Sequence, residues 1–202
     1  MIFYVLTRVV CDKGQVTLTL SPADSQEGQK AERLILTEKA YQKLGALAKG
    51  TILSEESAEL LRSAHRRYEA VRRALSILAA ADNSAAMLYR KLRLRSIARE
   101  DAAFAVAYVQ KKGLIREREQ LYRQIAKLAN EKLYGPARIL AALCEKGYRA
   151  ADIRACIDGL VAQGELDFNE IRRTLYEKKK PQDEAERQKL AFKHGFDRTD
   201  FD

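Results

Sequence analysis

The side chains best equipped for chemistry in this 202-residue chain are cations at helical spacing: Arg66 and Arg73, then Arg90, Lys91, Arg93 and Arg95, then Arg138 and Lys146. Guanidinium and ammonium groups arranged this way bind phosphates and carboxylates rather than break bonds. On a 3.6-residue wheel Arg62, Arg66 and Arg73 fall within about 40° of one another, so one helix carries a basic face. The charge is uneven. Residues 1–61 hold 7 basic and 8 acidic side chains, leaving 30 against 20 in the remainder of a chain whose net charge is +9. An excess of that kind suits a polyanionic partner, either nucleic acid or an acidic protein surface, and equally describes solvated helix faces.

Residues that could support catalysis do not gather. There is no glycine-rich phosphate loop, no H-E-x-x-H and no nucleophile elbow. His65 and His194 are far apart in sequence, without clustered ligands, and the carboxylates are scattered singly among cations. We therefore expect no enzyme, no metal and no cofactor. Cys11, Cys144 and Cys156 form no C-x-x-C pair, and the last two are expected on apolar helix faces as reduced thiols. Tyrosines at 68, 89, 108, 122, 134, 148 and 176 lie close to arginines or lysines. They serve either as base-stacking platforms or as packing residues with a hydroxyl at the rim.

The elements that must position these cations are mostly helices. Tyr134-Gly-Pro-Ala-Arg-Ile-Leu-Ala-Ala-Leu-Cys-Glu-Lys-Gly-Tyr148 begins with a proline suited to a first helical turn and ends at a glycine suited to a helix stop. A second helix then buries Ile153, Cys156, Ile157, Leu160 and Val161, with Asp152 near its start and Gly164 after its end. Sliding the sequence by 51 residues places Leu92 on Leu143, Asp101 on Asp152, Val109 on Leu160 and Gly113 on Gly164. A shift of 48 places Gly195-Phe196 on Gly147-Tyr148 and Asp200 on Asp152. The chain thus reads as tandem three-helix units that bury one another's apolar faces.

Upstream, residues 3–10 and 15–20 are β-rich and flank the turn Asp12-Lys13-Gly14, which predicts a hairpin with Val16, Leu18 and Leu20 buried. Residues 21–29 read as a polar loop and 32–36 as a short third strand. Thr37 is a candidate N-cap for a helix carrying Tyr41, Leu44 and Leu47 up to Gly50. Ser54 is a candidate cap for a long helix whose Leu60, Leu61, Ala64, Tyr68, Val71, Leu75 and Leu78 form one apolar stripe. Further helices are expected from Ser84, over 99–112 with Phe104, Val106 and Val109 inward, over 117–133, from 168 to 180, and over 182–193. The fold class is mainly α, an elongated array of three-helix repeats with a small N-terminal β-hairpin or sheet. Its divisions are 1–53, 54–115, 116–164 and a truncated 165–202.

The motifs resemble those of the RecX family, bacterial regulators of the recombinase RecA. Gly135-Pro136-x-Arg138-Ile139-x-x-x-Leu143-x-x-Lys146-Gly147-Tyr148 is similar to that family's second repeat. Ser84-x-x-x-Leu88-x-x-Lys91-Leu92 and Lys193-His194-Gly195-Phe196 match the first and third, and the hairpin, helix and Gly50-Thr-Ile-Leu-Ser54 look like its N-terminal extension. The chain departs at Met87, where a glutamate is usual, at Asp82, where an arginine is common, and at Arg116-Glu117, where an acidic pair is expected. The resemblance implies a non-enzymatic modulator that binds the RecA–DNA filament and inhibits its growth, ATP hydrolysis and co-protease activity. The runner-up is a helical-repeat protein that binds DNA or RNA directly, single- or double-stranded, without a recombinase; a third reading is an adaptor for acidic proteins. With no apolar run near the roughly 20 residues that span a bilayer and no signal-peptide pattern, we expect a cytoplasmic monomer.

Overall fold

The computed structural model describes residues 3–23 and 30–196. Most of the loop expected at 21–29, and Asp200 of the third repeat copy, lie outside them. The chain divides into two compact units, one formed by the chain up to Ile77 with Leu92–Val109, the other by Leu78–Lys91 with the chain from Gln110 onward.

In the first unit, β1 (Phe3–Asp12), β2 (Gln15–Pro22), β3 (Glu32–Thr37) and β4 (Ile52–Ser54) form an antiparallel sheet in the order β3-β2-β1-β4. Asp12 pairs with Gln15, so the hairpin turn is two residues, Lys13 at φ 46° and Gly14 at φ 78°. Positive φ at both positions gives the turn whose twist matches that of the flanking strands. Val16, Leu18 and Leu20 are buried as their alternation predicts, and on β3 Leu36 lies opposite Val16, Leu34 opposite Leu18 and Glu32 opposite Leu20. Strand β4 is not anticipated from the sequence. At three residues it is too short to show a period, and pairing with Phe3, Tyr4 and Val5 defines it.

Thr37 caps α1 (Glu38–Lys43), its hydroxyl accepting from the Ala40 N–H at 3.2 Å. The expected helix to Gly50 stops instead at Lys43. Gly45 (φ 93°) and Ala46 (φ 45°) reverse the chain there, and the Tyr41 hydroxyl donates to the Leu47 carbonyl, fastening the segment after the reversal. Ser54 caps α2 (Glu55–Ala80), accepting from the Ser57 N–H at 3.3 Å. The core joins Leu6, Leu18, Leu36, Tyr41, Leu53, Ala58 and Leu61. The apolar stripe assigned to α2 is corrected. Ala58, Leu61, Ala70, Ala74 and Ile77 are its buried residues, whereas Leu60 is 59% exposed and Leu75 is exposed. The small alanines permit close approach, which a reading that favours large apolar residues passes over. Likewise α4 (Arg99–Lys111) buries Ala102, Ala105, Val106 and Val109 but leaves Phe104 exposed.

The second unit holds the first turns of α3 (Ala85–Leu94) and then α5 (Glu117–Lys132), α6 (Pro136–Glu145), α7 (Ala150–Ala162), α8 (Phe168–Lys179) and α9 (Glu184–His194). Its core runs through Leu121, Ile125, Ile139, Leu143, Ile153, Leu160, Leu175 and Phe196. Cys144 and Val161 are exposed rather than buried. Each follows a buried leucine by one residue, a rotation of about 100° that carries it past the edge of the stripe. No described helix is long and apolar enough to cross a membrane.

Candidate partner interface

Arg66 and Arg73 sit on α2, but their surroundings differ. The Arg66 guanidinium reaches Glu59 at 2.8 Å and the buried carboxylate of Asp101 at 3.7 Å. Its hydrogen bond holds the Glu59 carboxyl below its ordinary pKa. Arg62, on the same face, is engaged by Glu32 at 2.9 Å and Glu55 at 2.8 Å and lies 4.6 Å from the centre of the Tyr4 ring. Hydrogen bonding to Glu32, the largest influence, holds its proton more tightly than usual. Most of this basic face is thus neutralised by carboxylates from the sheet and from α2 and α4, leaving Arg73 without an ion pair among the described residues.

The cations of α3 and its C-terminal end divide the same way. Ser84 caps the helix, accepting from the Met87 N–H at 3.1 Å and donating to the Lys146 carbonyl at 2.6 Å. Glu117 accepts from the Ala85 N–H at 2.7 Å, placing a carboxylate at the positive end of the helix dipole. Lys91 donates to Asn83 at 2.5 Å and Arg93 to the Ile97 carbonyl. Arg90 and Arg95 are exposed with no side-chain hydrogen bond or ion pair among the described residues.

In the second unit Lys146 donates to Gln124 at 2.7 Å, and Gln124 donates in turn to the Tyr148 hydroxyl, which donates to Gln120 at 3.0 Å. Burial first, and then the Glu117 and Asp82 carboxylates, push the Tyr148 phenol up to about 12. Tyr148 is therefore a buried, hydrogen-bonded packing residue rather than a stacking platform. Gly147 (φ 82°) lies against α3 so closely that a Cβ there would meet the Ala86 Cβ at 2.9 Å.

Arg138 is part of a second close packing. The Gly135 N–H donates to the His194 carbonyl at 2.7 Å and the Ala137 N–H to the Gly195 carbonyl at 3.2 Å. The unpaired donors at the start of α6 thereby satisfy the unpaired acceptors at the end of α9. Arg138 lies over the Tyr134 ring, 4.5 Å from its centre, and donates to the Lys193 carbonyl. His194 Nδ1 is 2.9 Å from the Leu133 carbonyl. The Gly-Pro-x-Arg and His-Gly-Phe motifs thus meet in space. Sequence reasoning assigned them to separate repeats, named Tyr134 only among the tyrosines that stack or pack beside cations, and missed Glu117 as a supporting residue. His65, the other histidine, accepts from the Ile35 N–H at 3.0 Å, and among the described residues no three His, Cys, Asp or Glu side chains converge as metal ligands would.

Of the eight candidate cations, Arg66, Arg73, Arg93 and Arg95 belong to the first unit and Arg90, Lys91, Arg138 and Lys146 to the second. Fold and site define a class: a mainly α-helical protein with a small antiparallel sheet, its helices docked through capped ends and glycines, carrying exposed arginines that have no ion pair among the described residues. Two relatives from strains of Pseudomonas putida, each called regulatory protein RecX, are 31% identical to it over 123 residues, covering 58% of this chain and 76% of theirs. The chain belongs to the RecX family of regulatory proteins. A crystal structure of a regulatory protein RecX shares the fold at TM-score 0.71 and 19% identity, covering 97% of this chain and 96% of that one. A RecX structure from Lactobacillus salivarius matches at TM-score 0.55 and 15% identity, over 66% of this chain and 90% of its own. No protein-family model matches the chain.

Proposed function

We propose that this chain is a non-enzymatic regulator that binds the RecA–DNA nucleoprotein filament and inhibits its recombinase, ATPase and co-protease activities. Membership in the RecX family supports a regulatory role, and the observation that carries a polyanionic target is the set of arginines the fold does not use. Arg73, Arg90 and Arg95 stand exposed without partners among the described residues, whereas Arg62 and Arg66 are matched by carboxylates. Unpaired guanidiniums retain the capacity to meet phosphates bidentately. In this reading the regulator acts in the cytoplasm as a monomer, with a β-containing extension over 1–53 and helical units over 54–115, 116–164 and 165–202.

The test is single-strand-dependent ATP hydrolysis by the cognate recombinase, measured with substoichiometric regulator. Inhibition is expected at salt concentrations where the chain's own DNA binding has become weak, since binding driven by counterion release falls steeply with salt. An unaffected recombinase, together with tight and salt-resistant binding to bare nucleic acid, would favour direct DNA or RNA recognition instead. Electron microscopy of filaments with and without the chain then distinguishes binding along them from capping their ends.

A further inference from the structure

Leu60, Ala64, Tyr68 and Val71 of α2 do not close onto the core of the first unit. With α1 on one side and Phe104 and Tyr108 of α4 on the other, they line an open groove of about 450 Å³. Leu60, Phe104 and Tyr108 are all exposed, and the uncharged lining is aliphatic and aromatic apart from Thr37 and Ser63. The charged residues that line the groove are Lys39, Lys43 and Arg67, all cations. The carboxylates of α2 stay out of the groove: Glu55, Glu56 and Glu59 line an adjoining hollow, where Arg66 holds Glu59, and Glu69 is paired with Arg72 at 3.2 Å.

We propose that this groove docks an acidic amphipathic helix of a partner protein, apolar side chains on the floor and carboxylates against Lys39, Lys43 and Arg67. From Leu60 to Val71 the wall rises roughly 16 Å, about three turns, which is the length over which i, i+3, i+4 and i+7 anchors engage a groove. Charge selects the occupant. A second copy seated symmetrically here would bring two wholly cationic rims together. Nucleic acid fits less well, because the floor is largely aliphatic and the Arg67 guanidinium already lies 5.1 Å from the centre of the Phe104 ring, over the face on which a base would stack. None of Arg73, Arg90 and Arg95, the arginines assigned to the filament, lines this groove, and the proposal stands without them.

The experiment presents the full chain to a displayed library of helix-length segments in which Asp, Glu, Lys and apolar residues vary independently. Enrichment of segments with an apolar i, i+3, i+4, i+7 stripe flanked by Asp or Glu is expected. Their affinity should fall at least tenfold with Leu60→Asp, a substitution at an exposed position that leaves the melting temperature unchanged, and should be unaffected by Leu94→Asp, outside the groove. Lys43→Glu combined with Arg67→Glu should shift the enriched segments toward lysine. Enrichment that ignores Leu60, selection of basic segments by the unaltered chain, competition by a single-stranded oligonucleotide that Leu60→Asp relieves, or self-association lost in Leu60→Asp would each overturn the proposal.

Discussion

Leu143 is fully buried in α6, in the core of the second unit. Leu143→Ala removes methylene and methyl groups from a site that cannot fully collapse, so chemical denaturation should report a loss of roughly 2 to 5 kcal/mol. Tyr148 offers a different readout at the same scale. Its phenol stays protonated in the folded protein up to about 12, whereas an unfolded tyrosine ionises near 10. Between those values the unfolded chain releases a proton that the folded one retains, so stability is complete below about 10 and declines as the pH rises toward 12. Tyr148→Phe should remove that part of the alkaline decline. A melting-temperature profile across the window, unchanged in slope by the substitution, would show that burial and the Glu117 and Asp82 carboxylates do not hold the phenol in its neutral form.

Among elements, the junction between the end of α9 and the start of α6 is where glycine is required twice. Gly195 adopts φ 85°, and a Cβ there would lie 2.4 Å from the Arg138 nitrogen; a Cβ on Gly135 would lie 2.5 Å from the Gly195 carbonyl. Backbone cannot yield as the tip of a flexible side chain can. Gly164 makes a useful contrast, since it has φ 70° but open space where its Cβ would fall. Gly164→Ala should cost roughly 1 to 2 kcal/mol through backbone strain alone. Gly195→Ala adds the clash and should cost clearly more, with hydrogen exchange accelerating in α9 before the rest of the unit. Equal costs for the two would mean that the junction relaxes freely. Arg138 belongs to this junction through the Tyr134 ring and the Lys193 carbonyl, so its replacement bears on α9 as well as on any partner.

For the whole molecule, the arginines divide into those that the fold neutralises and those it leaves open. Arg73→Glu, Arg90→Glu and Arg95→Glu in one chain should weaken filament binding strongly while moving stability by no more than about half a kcal/mol per site, as exposed positions do. Arg66→Glu should behave differently. It would place a carboxylate beside Glu59 and the buried Asp101, so the melting temperature should fall with that change alone. A well-folded triple variant that still binds would move the surface elsewhere, with Lys178, Lys179 and Lys180 at the exposed end of α8 the next to reverse.

Periodicity and local chemistry in the sequence determined the element types, because each depends on near neighbours along the chain. The alternation of Val16, Leu18 and Leu20, the caps at Thr37 and Ser54, and the stops at Gly147 and Gly164 rest on hydrogen bonds and φ angles within a few residues. The repeat spacing that pairs Leu92 with Leu143 and Val109 with Leu160 marked positions that are all buried. Only the tertiary structure decided what each face meets. Which side of α2 is core depends on alanines packing against another element, and Leu60 could not reveal from its own neighbours that it borders an open groove. Pairing of Arg62 with Glu32, or of Arg66 with Asp101, joins residues 30 or more apart, and a charge pattern read along one helix carries no trace of the carboxylates brought to it by folding.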